Sequence, residues 1–336
     1  MDFYKPKGIT FIPTYECTTY CPHCNVDYNK IKNFPKMDIG LAIDILNQAH
    51  RIGINGVQFS GGEPTLYPEF IIEITKRAKA LSMKMHRPAT NGAIGRSTDI
   101  ANSLFKRLKE SGYNSGFRLS IDKYHCKNGL KDQANFASIF GEYFPFRNLS
   151  IGCCAKDRSS SSQFILRFLK ELNSHSIDSS YKPPDEYLHI KGERVKIGYW
   201  APTRPTWKNL PDEEFNLKII PTNMSGCLGE KGVGYLWVEP DGNLRICCGN
   251  ANIFIDYLMV GNLKREKLSD LIGKINRDRI FEILSKEGPA GLRRVVREKR
   301  PELLPLEKTY THKCELCWEI LKNSDTRLPA RQASQF

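Results

Sequence analysis

The chain has 336 residues, 40% of them apolar and 26% charged, the balance of an ordinary globular protein able to bury one large core or a large and a small one. No apolar run reaches the length of a membrane span, and MDFYKPKGITFIPTYEC lacks the apolar stretch of a secretion signal, so a cytoplasmic protein with no membrane partner is expected. A formal charge of +13 favours an anionic partner, but no nucleic-acid recognition motif accompanies it. The basic run Arg293, Arg294, Arg297, Lys299 and Arg300 reads as a solvated helix face, and nucleic acid is not favoured as a partner.

Ile9–Pro13 reads as a first strand. Asp38–Ile52 then carries helical spacing (Ile39, Ala42, Ile43, Leu46, Ala49), with Asp38 as N-cap and Gly53 as stop. A strand at Val57–Ser60 and a helix at Pro68–Ser82 follow. Further strands are predicted at Lys84–Ala89, Phe117–Ile121, Leu149–Cys154 and Arg194–Trp200. The helices between them fall at Asp99–Glu110, Gln133–Tyr143 and Gln163–Asn173. Alternating strand and helix implies a parallel sheet. About six such units make an α/β fold, a partial (β/α)6 TIM-like barrel with its active site at the C-terminal strand ends.

The barrel is expected over 1–202, and a proline-rich connection over 203–220. A small C-terminal α+β domain follows over 221–325, then a disordered tail over 326–336. Inside the small domain, Tyr235–Val238 and Asn243–Ile246 flank Pro240-Asp241-Gly242 as a hairpin. Helical segments around Leu263–Leu284 and the Cys314–Leu321 region complete it.

Eleven cysteines without an export signal point to metal or iron–sulfur ligation rather than disulfides. Cys17-Thr-Thr-Tyr-Cys21-Pro-His-Cys24 places three thiols within eight residues, just after the first strand. A four-iron cubane held by three cysteines keeps one iron free to bind a small molecule. Zinc is the competing reading. It takes four ligands, commonly as two separated pairs, and His23 is crowded between Cys21 and Cys24. Ser60-Gly61-Gly62-Glu63-Pro64 follows the second strand, where glycines admit close backbone approach and a carboxylate can receive an ammonium.

The CxxxCxxC spacing together with SGGEP resembles the radical S-adenosylmethionine (SAM) superfamily. The resemblance implies a SAM-binding 4Fe-4S cluster on Cys17, Cys21 and Cys24, reductive cleavage of SAM to a 5′-deoxyadenosyl radical, and an electron donor such as flavodoxin or ferredoxin. It also implies cofactor contacts from Gly61, Gly62, Glu63 and Pro64, from Asn91 after the third strand, and from Ser120 and Asp122 at the end of the fourth.

Cys227, Cys247, Cys314 and Cys317 form a C…GxxxxC…CxxC layout similar to the twitch/SPASM domains appended to such enzymes. That likeness implies a second, auxiliary 4Fe-4S cluster, with a structural zinc site as the alternative. Cys248 is left over. Its side chain should point away from that of Cys247, and a thiol near a radical site can donate hydrogen. The whole arrangement, including Asp122-Lys-Tyr124-His125 and Lys286-Glu287-Gly288, resembles radical SAM peptide epimerases of the epipeptide type. It implies a ribosomally made peptide substrate, L-to-D epimerisation and Cys248 as hydrogen donor. A buried packing thiol is the plainer reading of Cys248. Peptide cross-linking, or dehydrogenation or carbon–carbon bond formation on a sugar or nucleoside, are the alternative reactions. Cys153 and Cys154 read as core packing, and Cys126 as an open position at the barrel mouth. Sixteen residues precede Cys17, too few for an N-terminal leader-binding domain, so the barrel and the basic surface are expected to hold the peptide.

Overall fold

The computed structural model describes residues 2–24, 26, 33–126, 129–183, 185–200, 213, 215–220, 226–228, 234–247 and 255–331, apart from the side chains of 328–331. Strand β1 (Gly8–Phe11) is fully buried. Helix α1 (Ile39–Arg51) starts where Asp38 Oδ1 accepts a 2.7 Å hydrogen bond from Leu41 N, the N-cap predicted from sequence. Then come β2 (Gly56–Phe59) and α2 (Pro68–Ala80), whose proline stands in the first turn and has no N–H to leave unsatisfied. The strand expected over Lys84–Ala89 is two pieces, β3 (Lys84–Met85) and β4 (Ala89–Thr90), with Pro88 between them unable to donate to a ladder.

Next are α3 (Thr98–Glu110), capped by Ser97, β5 (Arg118–Ser120) and α4 (Lys131–Tyr143). Strand β6 (Ser150–Cys154) leads to α5 (Arg158–Ser174), capped by Asp157. Two short strands absent from the sequence reading, β7 (Ser179–Ser180) and β8 (Tyr187–Ile190), precede β9 (Glu193–Trp200). Strands β1, β2, β3–β4, β5, β6 and β9, with the helices between them, follow the chain order of a partial (β/α)6 TIM-like barrel. Beyond lie β10 (Lys218–Ile219), β11 (Tyr235–Val238), β12 (Asn243–Arg245) and β13 (Met259–Asn262). They are followed by α6 (Leu268–Asn276), α7 (Arg279–Lys286), α8 (Gly288–Lys299), β14 (Thr309–Tyr310), α9 (Lys313–Lys322) and α10 (Ser324–Arg331).

Two compact units result. The first combines Met1–Phe11, His23–Gly56 and Thr203–Phe336; the second combines Ile12–Pro22 and Val57–Pro202. In the second unit β4, β5, β6 and β9 are parallel neighbours in that order, and β8 and β7 extend β9 antiparallel. Its core holds an aromatic cluster in which Phe105 meets Phe136 edge to face at 5.1 Å and Phe140 at 5.6 Å. Phe105, Phe117, Phe136 and Phe140 are fully buried, and each such ring contributes about 1.5–3 kcal/mol.

In the first unit β1 runs parallel to β11, with Gly8 opposite Tyr235, and β11, β12 and β13 continue as an antiparallel meander. The predicted hairpin is β11–β12, and Gly242 takes φ 91° at its turn. Two expectations are corrected here. The basic run on α8 is not all solvated: Arg293 is 1% exposed, with Nη1 donating to Ile220 O at 3.3 Å. Arg294 is ion-paired to Glu287 at 3.0 Å and to Glu298 at 2.8 Å. The tail expected to be disordered from 326 is helical through Arg331. Buried Thr326 holds it by donating to Ile320 O at 2.7 Å, while Asn323 Oδ1 accepts from Asp325 N. Residues 332–336 lie outside the described residues.

Candidate active site

Past Phe11, the carbonyls of Thr14 and Glu16 receive the glycine-rich turn after β2. Gly62 N donates to Thr14 O at 3.0 Å and Glu63 N to Glu16 O at 2.7 Å. The approach is too close for side chains. A Cβ on Gly62 would stand 2.1 Å from Glu16 O, and one on Gly61, at φ 118°, would stand 2.5 Å from Ile12 Cγ2. Cys17 follows directly on this pairing.

Glu63 is 1% exposed and Pro64 behind it is buried. Glu63 Oε1 accepts from Thr65 Oγ1 at 2.7 Å, Thr90 Oγ1 at 2.9 Å and Thr65 N at 3.2 Å; Oε2 accepts from Asn91 N at 2.7 Å. Burial raises its pKa, opposed by those hydrogen bonds. A carboxylate gathered among four donors is a prepared acceptor for a cationic group.

Asn91 joins this turn to the cysteine loop. Its Nδ2 lies 3.5 Å from Cys17 Sγ and 3.4 Å from the hydroxyls of Thr18 and Thr19. Gln133 Nε2 holds the Asn91 carbonyl at 2.8 Å. Thr19 Oγ1 stands 3.3 Å from Cys17 Sγ and 3.4 Å from Cys21 Sγ. Cys24, half-buried, receives Val26 N at 3.4 Å. Cys17 Sγ receives the Asn91 amide and Cys21 Sγ donates to Thr19 Oγ1, so both thiols lie among polar groups, a setting that fits ligands of the implied 4Fe-4S group.

Ser120, 5% exposed, ends β5 in register with Gly152 of β6. Asp122, 1% exposed, is an anchor for its own turn. It accepts from Tyr124 N at 2.9 Å, His125 N at 3.0 Å and His125 Nδ1 at 2.9 Å, and its Oδ2 accepts from Cys154 N at 3.0 Å. Cys126 is 7% exposed rather than open, because its thiol turns back toward the Ser120 carbonyl at 3.9 Å; burial above all pushes its pKa up to about 12. Cys153 and Cys154 are fully buried, as expected of core packing.

The second cysteine set lies in the first unit. Cys314 and Cys317 stand at the start of α9, and Cys227 is fixed by its N–H donating to Leu284 O at 2.8 Å. Burial, then the charges of Cys314 and Cys227, raise the Cys317 pKa far above the ordinary thiol value, so these three thiols lie within electrostatic reach. Burial raises Cys227 too, against the pull of Lys313. Cys247, half-buried, follows β12. Cys248 lies outside the described residues.

Thr19, Thr65 and Gln133 escaped sequence reasoning. Thr19 sits inside the cysteine motif and could have been noticed as a sulfur donor. Gln133, on α4, carries no local signal at all.

Residues 11–134 match the family model of the radical SAM superfamily, and this stretch is a radical SAM domain. The PqqA peptide cyclase of Streptomyces rochei is 28% identical over 102 residues, 30% of this chain and 27% of that protein. That of Methylorubrum extorquens strain PA1 is 31% identical over 100 residues, 30% of this chain and 25% of that protein. The chain thus spans about a quarter of the length of the curated relatives it matches. Streptococcus suis SuiB bound to precursor peptide SuiA superposes with a TM-score of 0.52 at 18% identity, over 82% of this chain and 67% of that one. SuiB bound to S-adenosylmethionine gives 0.50, also at 18% identity, over 82% and 68%. These two likenesses establish the fold.

Proposed function

We propose that this protein is a radical SAM enzyme that abstracts a hydrogen atom from a ribosomally made peptide. The observation that carries the reading is buried Glu63, set among four donors one hydrogen-bonded step from the loop of Cys17 and Cys21. Names among the relatives, a peptide cyclase and a structure with a precursor peptide, support the peptide as substrate.

Cys17, Cys21 and Cys24 would hold a 4Fe-4S cluster, with SAM bound beside it through Gly61, Gly62, Glu63, Pro64, Asn91, Ser120 and Asp122. When bound, this pair supplies the 5′-deoxyadenosyl radical. The chain's own part is placement. The Thr14–Glu16 segment fixes the height of the glycine turn, Asn91 and Thr19 orient the sulfurs, and Glu63 offers its carboxylate to the ammonium of SAM. Cys227, Cys247, Cys314 and Cys317 would hold an auxiliary cluster in a twitch/SPASM-like module over 221–325, appended to a barrel over 1–202. Flavodoxin or ferredoxin would supply electrons in the cytoplasm.

The reaction proposed is L-to-D epimerisation, with Cys248 returning hydrogen to the peptide Cα. Cross-linking is the second reading, favoured by the peptide cyclase relatives. Anaerobic incubation in heavy water with a candidate precursor peptide tests both by mass spectrometry. A product one mass unit heavier, lost in Cys248→Ala, supports epimerisation; a product two units lighter supports cross-linking. No release of 5′-deoxyadenosine from fully reconstituted protein defeats both.

A further inference from the structure

The sheet of the second unit has two unlike faces. Leu119, Ile151, Leu188, Ile190, Val195 and Ile197 are buried on one of them. Side chains alternate along a strand, so the residues between these face the other way. There the register sets Arg118 of β5, Ser150 of β6, Lys196 of β9 and Tyr187 of β8 in one row. Arg194 stands two residues before Lys196, and all three cations are exposed.

Among the described residues, no strand position on this second face is Asp or Glu. The single acid of β9, Glu193, belongs to the buried face, where Arg147 Nη1 meets it at 3.0 Å. Arg158, elsewhere in the unit, is paired with Glu186 at 2.6 Å. Arg194 and Lys196 make no such ion pair among the described residues. Two of the cations lie over rings. Arg194 Cζ is 4.0 Å from the centre of the Tyr187 ring, and Arg118 Cζ is 5.3 Å from that of Trp200. Gly152 makes room for the second contact: a Cβ there would stand 2.7 Å from Trp200 Cη2 and 3.3 Å from Arg118 Cγ. A guanidinium laid on a ring is preorganised, and its planar fork matches a carboxylate. In the next row, a Cβ on Gly198 would meet only Ile151 O, at 3.8 Å, so the space over that strand admits another chain.

We propose that Arg118, Arg194 and Lys196 form the surface that receives an acidic segment of the peptide substrate. This deepens the peptide-modifying reading, on which it rests, by giving the substrate its chemical character. Neighbouring strands lie about 4.8 Å apart, so Arg118 and Lys196, on either side of β6, are about 10 Å apart at the backbone. Ser120, assigned above to the cofactor, stands two residues beyond Arg118 on the same face, about 7 Å along the strand. A peptide anchored on the cationic row is therefore held beside the cofactor end of the sheet. The C-terminal basic run is a poorer candidate, since Arg293 is buried and Arg294 and Arg300 are ion-paired.

The test is fluorescence anisotropy of the full chain, anaerobically reconstituted and saturated with SAM. The probes are a fluorescein-labelled peptide of alternating Glu and Thr and its Gln–Thr counterpart. Wild type should prefer the Glu probe, by a margin that shrinks as salt rises. Arg118→Gln/Arg194→Gln/Lys196→Gln should weaken the Glu probe about tenfold and leave the Gln probe unchanged. Arg51→Gln/Lys264→Gln/Arg265→Gln removes three exposed cations of the first unit, an equal loss of charge, and should change the Glu probe less than about twofold. Equal losses in the two triple variants overturn the proposal, because the attraction would then belong to the +13 charge and not to this face. So does a wild type that binds both probes alike. If the Arg118 variant does not fold, Arg194→Gln/Lys196→Gln decides: a loss of about fivefold confined to the Glu probe supports the surface, and no loss overturns it. A chain that shows the expected preference yet releases no 5′-deoxyadenosine sinks the radical SAM reading and leaves the surface standing; normal cleavage with no preference between probes does the reverse.

Discussion

The two sulfur-bearing regions of this molecule are built on opposite principles. In the second unit, Cys17 and Cys21 lie among hydroxyl and amide groups, and Glu63, linked to them through Asn91, has four donors of its own. In the first unit, Cys317 is buried and its electrostatic neighbours are other thiols, which raise its pKa further. The first arrangement is already polarised for negative sulfur. In the second, burial raises Cys227 and Cys317, so a metal bound there as proposed would have to displace protons, coupling its binding to pH.

The largest effect expected from this contrast is on SAM cleavage. Cys17→Ala and Cys21→Ala should reduce anaerobic release of 5′-deoxyadenosine to background, whereas Cys317→Ala should leave most of it while lowering thermal stability. Liquid chromatography of the quenched reaction and a melting curve check both. If Cys317→Ala abolished cleavage with the first cluster intact by iron analysis, the division of roles between the two regions would be lost.

Glycines sharpen the same contrast on a smaller scale. Gly62→Ala pushes a methyl to 2.1 Å from Glu16 O, a backbone atom held by the Glu63 N–H rather than the end of a flexible side chain. A cost of about 3 kcal/mol is expected, the upper range for overpacking. Gly273, inside α6, meets only the flexible end of Arg277 at 3.3 Å, so Gly273→Ala should stabilise by about 0.5–1 kcal/mol through helix propensity. Urea denaturation of the two variants gives opposite signs, and equal signs would refute the assignment of Gly62 to a close approach.

How much of this was legible in the sequence follows the range of each interaction. Asp38 as N-cap, the β11–β12 hairpin and the helix over Ile39–Arg51 depend on residues a few positions apart, and periodicity and turn chemistry reveal them. The cysteine spacing and SGGEP were legible because cluster and cofactor chemistry impose fixed short motifs. Apart from Thr19 and Thr65, which act on residues two positions away, what escaped was long-range. Nothing in Tyr235 announces that its strand pairs in parallel with Gly8–Phe11, and nothing in Gln133 announces a bond to the Asn91 carbonyl. Arg293 looked like one cation of a solvated run because the carbonyl it serves, at Ile220, lies 73 positions away. Asp122 was read as a cofactor contact from its place in the motif, and nothing local announced that its carboxylate also accepts from Cys154 N of β6, 32 positions away.

The smallest effect separates burial from hydrogen bonding at Glu63. Glu63→Gln turns one oxygen into an N–H₂ group among donors, at a cost of about 1–3 kcal/mol for the misplaced pairing. Its dependence on pH carries the information. Burial raises the folded pKa above 4.5, so the folded chain holds this proton more tightly than the unfolded one. That contribution is fully present below 4.5 and is lost as pH rises through the raised value. Glutamine does not titrate, so the stability gap between wild type and Glu63→Gln should narrow as pH rises from 4.5 toward neutrality. Urea unfolding at the two ends of that window measures it. A gap that widened instead would mean that the four donors outweigh desolvation and hold the carboxyl charged well below 4.5, bringing Glu63 under the same rule as the donor-rich sulfurs beside it.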